Sequence, residues 1–238
     1  RARLAASRRL SPGSLGLRRW EQIAPPAQTL ATLLQTLAAA LQPIECAGPA
    51  GTPRVLGSVL LGKHRGAPHL VAFSVRPFDE HKHWLAPWIS AVAASCAGYT
   101  APSLLLGPDA HAAGTAQRLL AIPREAAEPI LAALLDGFRQ GRDRPLSYAP
   151  NTSASYLGKL KGPDEADPGA LRSAADDSWF PEQTEHRSAG EGQQPAARLA
   201  WRDRDPFAAD QLDDWHHWSR GISAPLQAWV DAAPAEPL

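Results

Sequence analysis

The chain has 238 residues, 44% hydrophobic and 20% charged, which is ordinary for a globular protein and long enough for one large core or two small ones. Its 24 Lys and Arg balance 24 Asp and Glu, so no overall basicity advertises nucleic acid, and any such contact has to come from a local patch. No apolar run is long enough to cross a bilayer and no signal-peptide pattern opens the chain, which implies a soluble, cytoplasmic protein with no membrane partner.

Cys46 and Cys96 lack metal-ligand spacing and read as two free, buried thiols. The sequence contains no Met, and its opening "RARLAASRRLSPG" looks like mid-chain sequence, so the expectation is a piece of a longer protein.

In chain order, "SPGSLG" is a turn-rich start. Leu30, Leu33, Leu34, Leu37 and Leu41 then recur at helical spacing, with Pro25 and Pro26 suited to the helix start and Pro43 to its stop. Three candidate strands follow: a weak one at residues 44–47, then 54–62 and 69–75. The last two are joined by "GKHRGAP", where Gly62 and Gly66 suit a hairpin. Trp84, Leu85, Trp88, Ile89, Val92 and Cys96 form one apolar stripe of a helix; Pro87 fits only in its first turn, and Gly98 ends it. "SLLLG" is a short buried strand, and "QRLLAIP" is a candidate for another. Next comes a helix with Ile130, Leu131, Leu134, Leu135 and Phe138 on one side and Gly141 at its end. From 142 to 195 the pattern weakens into polar, Gly/Pro-rich sequence; only "SASYLGKL" and "GALRSAADDSWF" could be short helices, and the segment is expected to be loops with the poorest order. The chain closes on a helix with Asp205 as N-cap, Pro206 at N1, and Trp215, Trp218, Ile222, Leu226 and Trp229 on one face, bent or broken at Gly221 and Pro225.

The fold class is therefore α/β: a mixed β-sheet flanked by helices, in one domain over 1–238. Its core is about 26–141, followed by a loop-rich segment 142–204 and a C-terminal helix region 205–230. Helix, three strands, helix, strand is also the order of the PD-(D/E)XK nuclease core. There a carboxylate on the second strand and a D/E-x-K on the third hold a divalent metal, because Mg²⁺ needs hard oxygen ligands. Between Glu45 and Asp79 this chain has no Asp or Glu. The reading is a nuclease-like core without the catalytic residues.

Several blocks carry a more specific resemblance: "RRLSPGSLGLRRWE", "HWLAPWISAVAASCAG" with "LLLG", "ILAALLDGFRQGRDRPLSYAP" and "ARLAWRDRDPFAADQL". In this order and spacing they resemble the C-terminal part of the gamma subunit of exodeoxyribonuclease V, the RecC subunits of RecBCD helicase–nucleases, over nearly the whole chain and least from 157 to 195. The resemblance implies a RecB-nuclease-like fold that has lost its catalytic residues. Such a domain is a scaffold beside the point where duplex DNA is split, and its C-terminal region is implicated in holding the RecD-type subunit. The second-strand Gly-x-Ile-Asp of the nuclease falls on Gly57, Ser58, Val59 and Leu60, and the third-strand Asp-x-Lys on Phe73 and Val75. Leu60, Phe73 and Val75 are thus the vestigial positions, with the space between them expected to be filled by apolar side chains. The implied partners are RecB-type and RecD-type subunits and DNA, in double-strand-break repair and DNA degradation. ATP and Mg are expected only in the other subunits, and no cofactor here.

Lys63, His64 and Arg65 on the hairpin tip, with Arg76, are the candidate DNA contacts, although a solvated turn is the plainer reading of such a tip. His81, Lys82 and His83 suit a metal only if a third ligand converges, and "DDWHHW" scatters its charges around a helix; both read as surface helix. Ser58 and Ser74 lack a G-x-S-x-G elbow, and "GKHRG" lacks P-loop spacing. The rival functions are an active metal-dependent nuclease with migrated ligands at Glu45, Asp79 or Glu80, and a stand-alone binding module.

Overall fold

Leucines at helical spacing build α1 (Gly13–Thr36), whose Leu30 is buried. The computed structural model describes residues 13–47, 54–74, 78, 81–107, 115–162, 165–180, 190–232 and 235–237. Two expectations for this helix fail. Pro25 and Pro26 lie inside it rather than at its start, and it stops at Thr36 rather than running on to Pro43. The stop is a left-handed residue, Ala38 (φ 48°). Ala38 N donates to Gln35 O and Ala39 N to Leu34 O, the hydrogen-bond pair of a Schellman cap with alanine where glycine usually stands. Ala38→Gly is therefore expected to raise stability by about 1 kcal/mol in chemical denaturation, since the left-handed conformation strains any residue with a Cβ.

Leu41 consequently belongs to β1 (Ala40–Ala47), a longer strand than residues 44–47. It pairs antiparallel with β2 (Arg54–His64), Ala40 opposite Leu61 and Ala47 opposite Arg54. β1 is the sheet edge, and that is why Pro43 is tolerated within it. β2 turns into β3 (Ala67–Phe73) through Arg65 (φ 50°) and Gly66 (φ 81°), a two-residue hairpin turn with both central residues left-handed. Gly62 is not part of that turn. It lies in β2, where a Cβ would sit 3.0 Å from Val71 Cγ2 and 3.2 Å from Leu37 O, so glycine lets the strand pass close to the end of α1.

From β3 the chain crosses through α2 (His81–Cys96) to β4 (Ser103–Leu106), which pairs parallel with β3. Pro87 falls in the second turn of α2, not the first, while Gly98 (φ 93°) ends the helix as expected. β5 (Thr115–Leu119) overlaps "QRLLAIP" but starts earlier, and the C-terminal β6 (Ala235–Pro237) pairs with it, closing a six-stranded mixed sheet in the order β1-β2-β3-β4-β5-β6. α3 (Arg124–Asp143) follows and runs past Gly141; its Leu131 is buried, but Phe138, expected on the inner side, is 64% exposed.

The strand alternation divides the sheet between two layers. Leu60, Val71, Leu104 and Leu106 pack with Leu30 and Leu37 of α1 and its end. Ile44, Val59, Leu70 and Leu105 face the other way, onto Trp84, Trp88, Val92 and Leu131 of α2 and α3.

Within the polar segment after 142 the structure forms helices: α4 (Pro150–Lys159), α5 (Pro168–Ala174) running into a π turn Ala175–Trp179, and α6 (Pro195–Ala200). They bury a separate core of Tyr156, Leu171 and Trp179 together with Trp215. Asp205 does not cap the last helix. Its carboxylate accepts from Phe207 N at 2.9 Å, and a 3₁₀ turn, Ala209–Gln211, leads into α7 (Leu212–Trp218). A π turn, Ser219–Ser223, joins α7 to α8 (Ala224–Asp231). The expected stripe is fully buried but divided: Trp215 enters the helical core, whereas Trp218, Ile222, Leu226 and Trp229 enter the sheet core. No helix among the described residues is long and apolar enough to cross a membrane.

Candidate functional site

β2 and β3 diverge beside Leu60, one of the expected vestigial positions. Their ladder has only the pairs Leu61–Leu70, Gly62–His69, Lys63–Pro68 and His64–Ala67. Beyond Leu61 the rest of β2 stays with β1, and beyond Leu70 the rest of β3 stays with β4. The sheet therefore forks, leaving an opening of about 200 Å³ lined by Ser58, Val59 and Leu60 on one prong and Leu70, Val71 and Ala72 on the other.

Leu60 is half-buried in the opening and packs with the α1 layer. Phe73 ends β3, is 53% exposed and is not among the described residues that line the opening. Val75 lies outside the described residues. The rest of the lining comes from Leu41, Pro87, Ser90, Ala91 and Ser103, so among the described residues no carboxylate faces the fork. Serine hydroxyls are the hardest side-chain donors there. A Mg²⁺ ion held by them would lose more hydration than it regains, so the residues present do not fit that ion.

Of the rival's ligands, Glu45 is on the edge strand opposite Leu56, and its carboxylate is ion-paired with Arg54. Asp79 and Glu80 lie outside the described residues. Among the described residues no three His, Cys, Asp or Glu gather as metal ligands. His81, Lys82 and His83 open α2; burial lowers the His81 pKa, opposed by the nearby Asp231 carboxylate. Cys46 and Cys96 are both buried and free, and burial, then the neighbouring Cys46, pushes the Cys96 thiol up to about 11.

The structure does bring Lys63, His64 and Arg65 together at the tip of the β2–β3 hairpin, at the closed end of the fork. Lys63 and Arg65 are exposed. The tip is anchored from below: Lys63 N donates to Leu37 O at 2.7 Å, tying it to the end of α1. The His64 ring stands edge-on to buried His69 at 5.7 Å between centroids, and His69 Nδ1 lies 3.0 Å from Ala67 O. Arg76 lies outside the described residues.

Two residues that pattern reading passes over shape the far end of the crossover. Asn151 Oδ1 accepts from Lys82 N at 3.1 Å in the first turn of α2. The buried Glu191 carboxylate accepts from Asn151 N (3.0 Å), Thr152 N and Thr152 Oγ1 (both 2.8 Å) at the start of α4. The only sequence signal for either is the polar residue type, because each acts on a helix distant in the chain.

A family model described as the RecC C-terminal domain matches residues 1–161. No curated protein matches the chain. The match takes in α1, the sheet through β5, the fork, the hairpin and α2 to α4, but ends short of the block "ARLAWRDRDPFAADQL" and the tryptophan helices, so the resemblance seen there stands outside it. With a family match over most of its length, the chain belongs to the RecC C-terminal domain family.

Proposed function

We propose that this domain is a non-catalytic scaffold of a RecBCD-type helicase–nuclease, holding DNA and neighbouring subunits in place during double-strand-break processing. The observation that carries the reading is the fork. It lies where the resemblance to the nuclease would put a metal site, Leu60 lines it, and among the described residues its lining has no carboxylate. The domain itself needs no cofactor; ATP and Mg²⁺ serve the other subunits, and the RecB-type and RecD-type subunits are its partners. Incubation with labelled single- and double-stranded DNA in Mg²⁺ or Mn²⁺ is expected to leave the DNA intact. Cleavage that disappears in Asp79→Ala would overturn the scaffold in favour of a nuclease with migrated ligands.

DNA contact is assigned to the hairpin tip. Lys63 and Arg65 can neutralise about two phosphates, so affinity is expected to fall only about tenfold between 50 and 200 mM salt. Tight binding by this domain alone at physiological salt contradicts the assignment.

Arg65 offers a sharper check, because it stands in a left-handed turn position that suits asparagine better. Arg65→Asn is expected to raise stability by about 1 kcal/mol, a shift of roughly 2–4 °C for a chain of this size, while weakening DNA binding several-fold. A gain in stability with unchanged DNA affinity would remove the tip from the interface.

A further inference from the structure

A groove of about 570 Å³ that shares no lining residue with the fork lies between α4 and the π turn with α8. Its walls are unusual in what they lack. Ala154 and Gly158 line it at i, i+4 spacing on α4, and Ala224 and Ala228 do the same on α8. Two facing rows of small residues leave room for a third helix to approach these two closely. The groove follows α8 from Ala224 to Asp231, a rise of about 10 Å, which matches two turns of an inserted helix.

Its charges are arranged along the same axis. Lys161, just past the end of α4, and Arg220, in the π turn before α8, both line the groove, and neither has a hydrogen-bond or ion-pair partner among the described residues. Asp231, at the last residue of α8, lies at the opposite end, held by Gln227 Nε2. No aromatic side chain lines the groove, so it offers no stacking platform for bases. A polar gradient over an apolar, small-residue floor suits an amphipathic helix with carboxylates at one end.

We infer that this groove seats a two-turn amphipathic helix of a partner subunit, its acidic, C-terminal end on Lys161 and Arg220 and its N-terminal end towards Asp231. The inference rests on the scaffold reading above, since it requires a complex in which such a subunit is present.

The test uses the complete subunit carrying this domain, assembled with the RecB-type and RecD-type subunits of its complex. Ala228→p-benzoylphenylalanine, irradiated in the assembled complex, is expected to crosslink to one partner subunit at a helical segment rich in Asp or Glu. Lys161→Glu with Arg220→Glu is expected to weaken assembly at least tenfold without altering thermal unfolding, because both side chains are exposed. Lys replacements of the crosslinked partner carboxylates should restore it. A crosslink to single-stranded DNA alone, no crosslink to protein, or charge-reversed subunit that assembles with wild-type affinity overturns the inference and leaves the scaffold reading standing. Failure of the wild-type subunit to assemble at all overturns the scaffold reading, and this inference with it.

Discussion

Ending the chain at Arg204 is expected to abolish its cooperative unfolding transition. The removed segment supplies Trp218, Ile222, Leu226 and Trp229 to the core beneath the sheet, and Trp215 to the helical core. Leu226 and Trp215 are fully buried and Trp218 is 1% exposed, so these are interior side chains and not a face waiting for another subunit. Trp229 is also tied in place, its Nε1 donating to Leu120 O at 2.9 Å. Losing one buried tryptophan costs about 3–5 kcal/mol, and a whole domain is stable by only about 5–15 kcal/mol. A single variant gives a graded version of the test. Trp218 meets α3 at Gly137, where even a Cβ would come within 3.1 Å of its ring, so the indole packs closely against the helix. Trp218→Ala is therefore expected to lose about 4 kcal/mol, lowering Tm by roughly 10 °C. Calorimetry of the shortened chain decides the larger question: an unchanged, cooperative transition would mean that the last helices stabilise something other than this domain.

Periodicity revealed the burial of this stripe but not its division. Trp215 and Trp218 are one helical turn apart and differ only in which core they meet, a distinction set by where α5 and α3 pack and not by any local pattern. The same limit explains the other departures. Leu41 matched a helical spacing that had already ended, because the stop at Ala38 uses alanine where the usual signal is glycine. Pro43 read as a terminator and is instead tolerated by an edge strand, and which strand forms an edge is a property of the sheet. Gly62 was legible as a glycine that mattered, but the reason is close contact with Leu37 and Val71, not the turn. Phe138 continues the apolar pattern of α3 while its side chain stays largely in solvent.

The fork shows the opposite case. The missing carboxylates were readable directly, because no Asp or Glu occurs between Glu45 and Asp79. The opening around Leu60 was not, because it depends on where the β2–β3 ladder ends. After residue 142 the two short helices read at "SASYLGKL" and "GALRSAADDSWF" do form, as α4 and α5 with its π turn, but their packing into a core was not legible. Alanine, serine and glycine make that segment look polar and loose, yet the same small residues let α4 and α5 pack closely around Tyr156 and Trp179.

Glu191 is where that helical half is most vulnerable, and Glu191→Ala is expected to destabilise the chain by about 3 kcal/mol. Ala149, at the N-cap of α4, makes no side-chain cap hydrogen bond. The Glu191 carboxylate, brought in by the 3₁₀ turn Glu191–Gln193, takes over that task and adds a bond from Thr152 Oγ1. Its negative charge also sits at the positive end of α4's dipole. Truncation to alanine leaves buried donors without acceptors, which is costlier than never having had the bonds. Glu191→Gln keeps the length and one acceptor oxygen but loses the charge and turns an NH₂ group toward donors; about half the loss is expected. The effect should spread along a defined route. Asn151, held through its own N–H by Glu191, caps α2 through Lys82 N, and α2 is the crossover that carries β3 to β4. Hydrogen exchange should therefore speed up first at the Asn151 and Thr152 amides and next at Lys82, while the Leu70 amide beside the fork, which donates to Pro102 O, stays protected. A loss below about 1 kcal/mol in Glu191→Ala, or faster exchange confined to residues 190–193, would show that the carboxylate only pins its own loop and that α2 is held by other contacts.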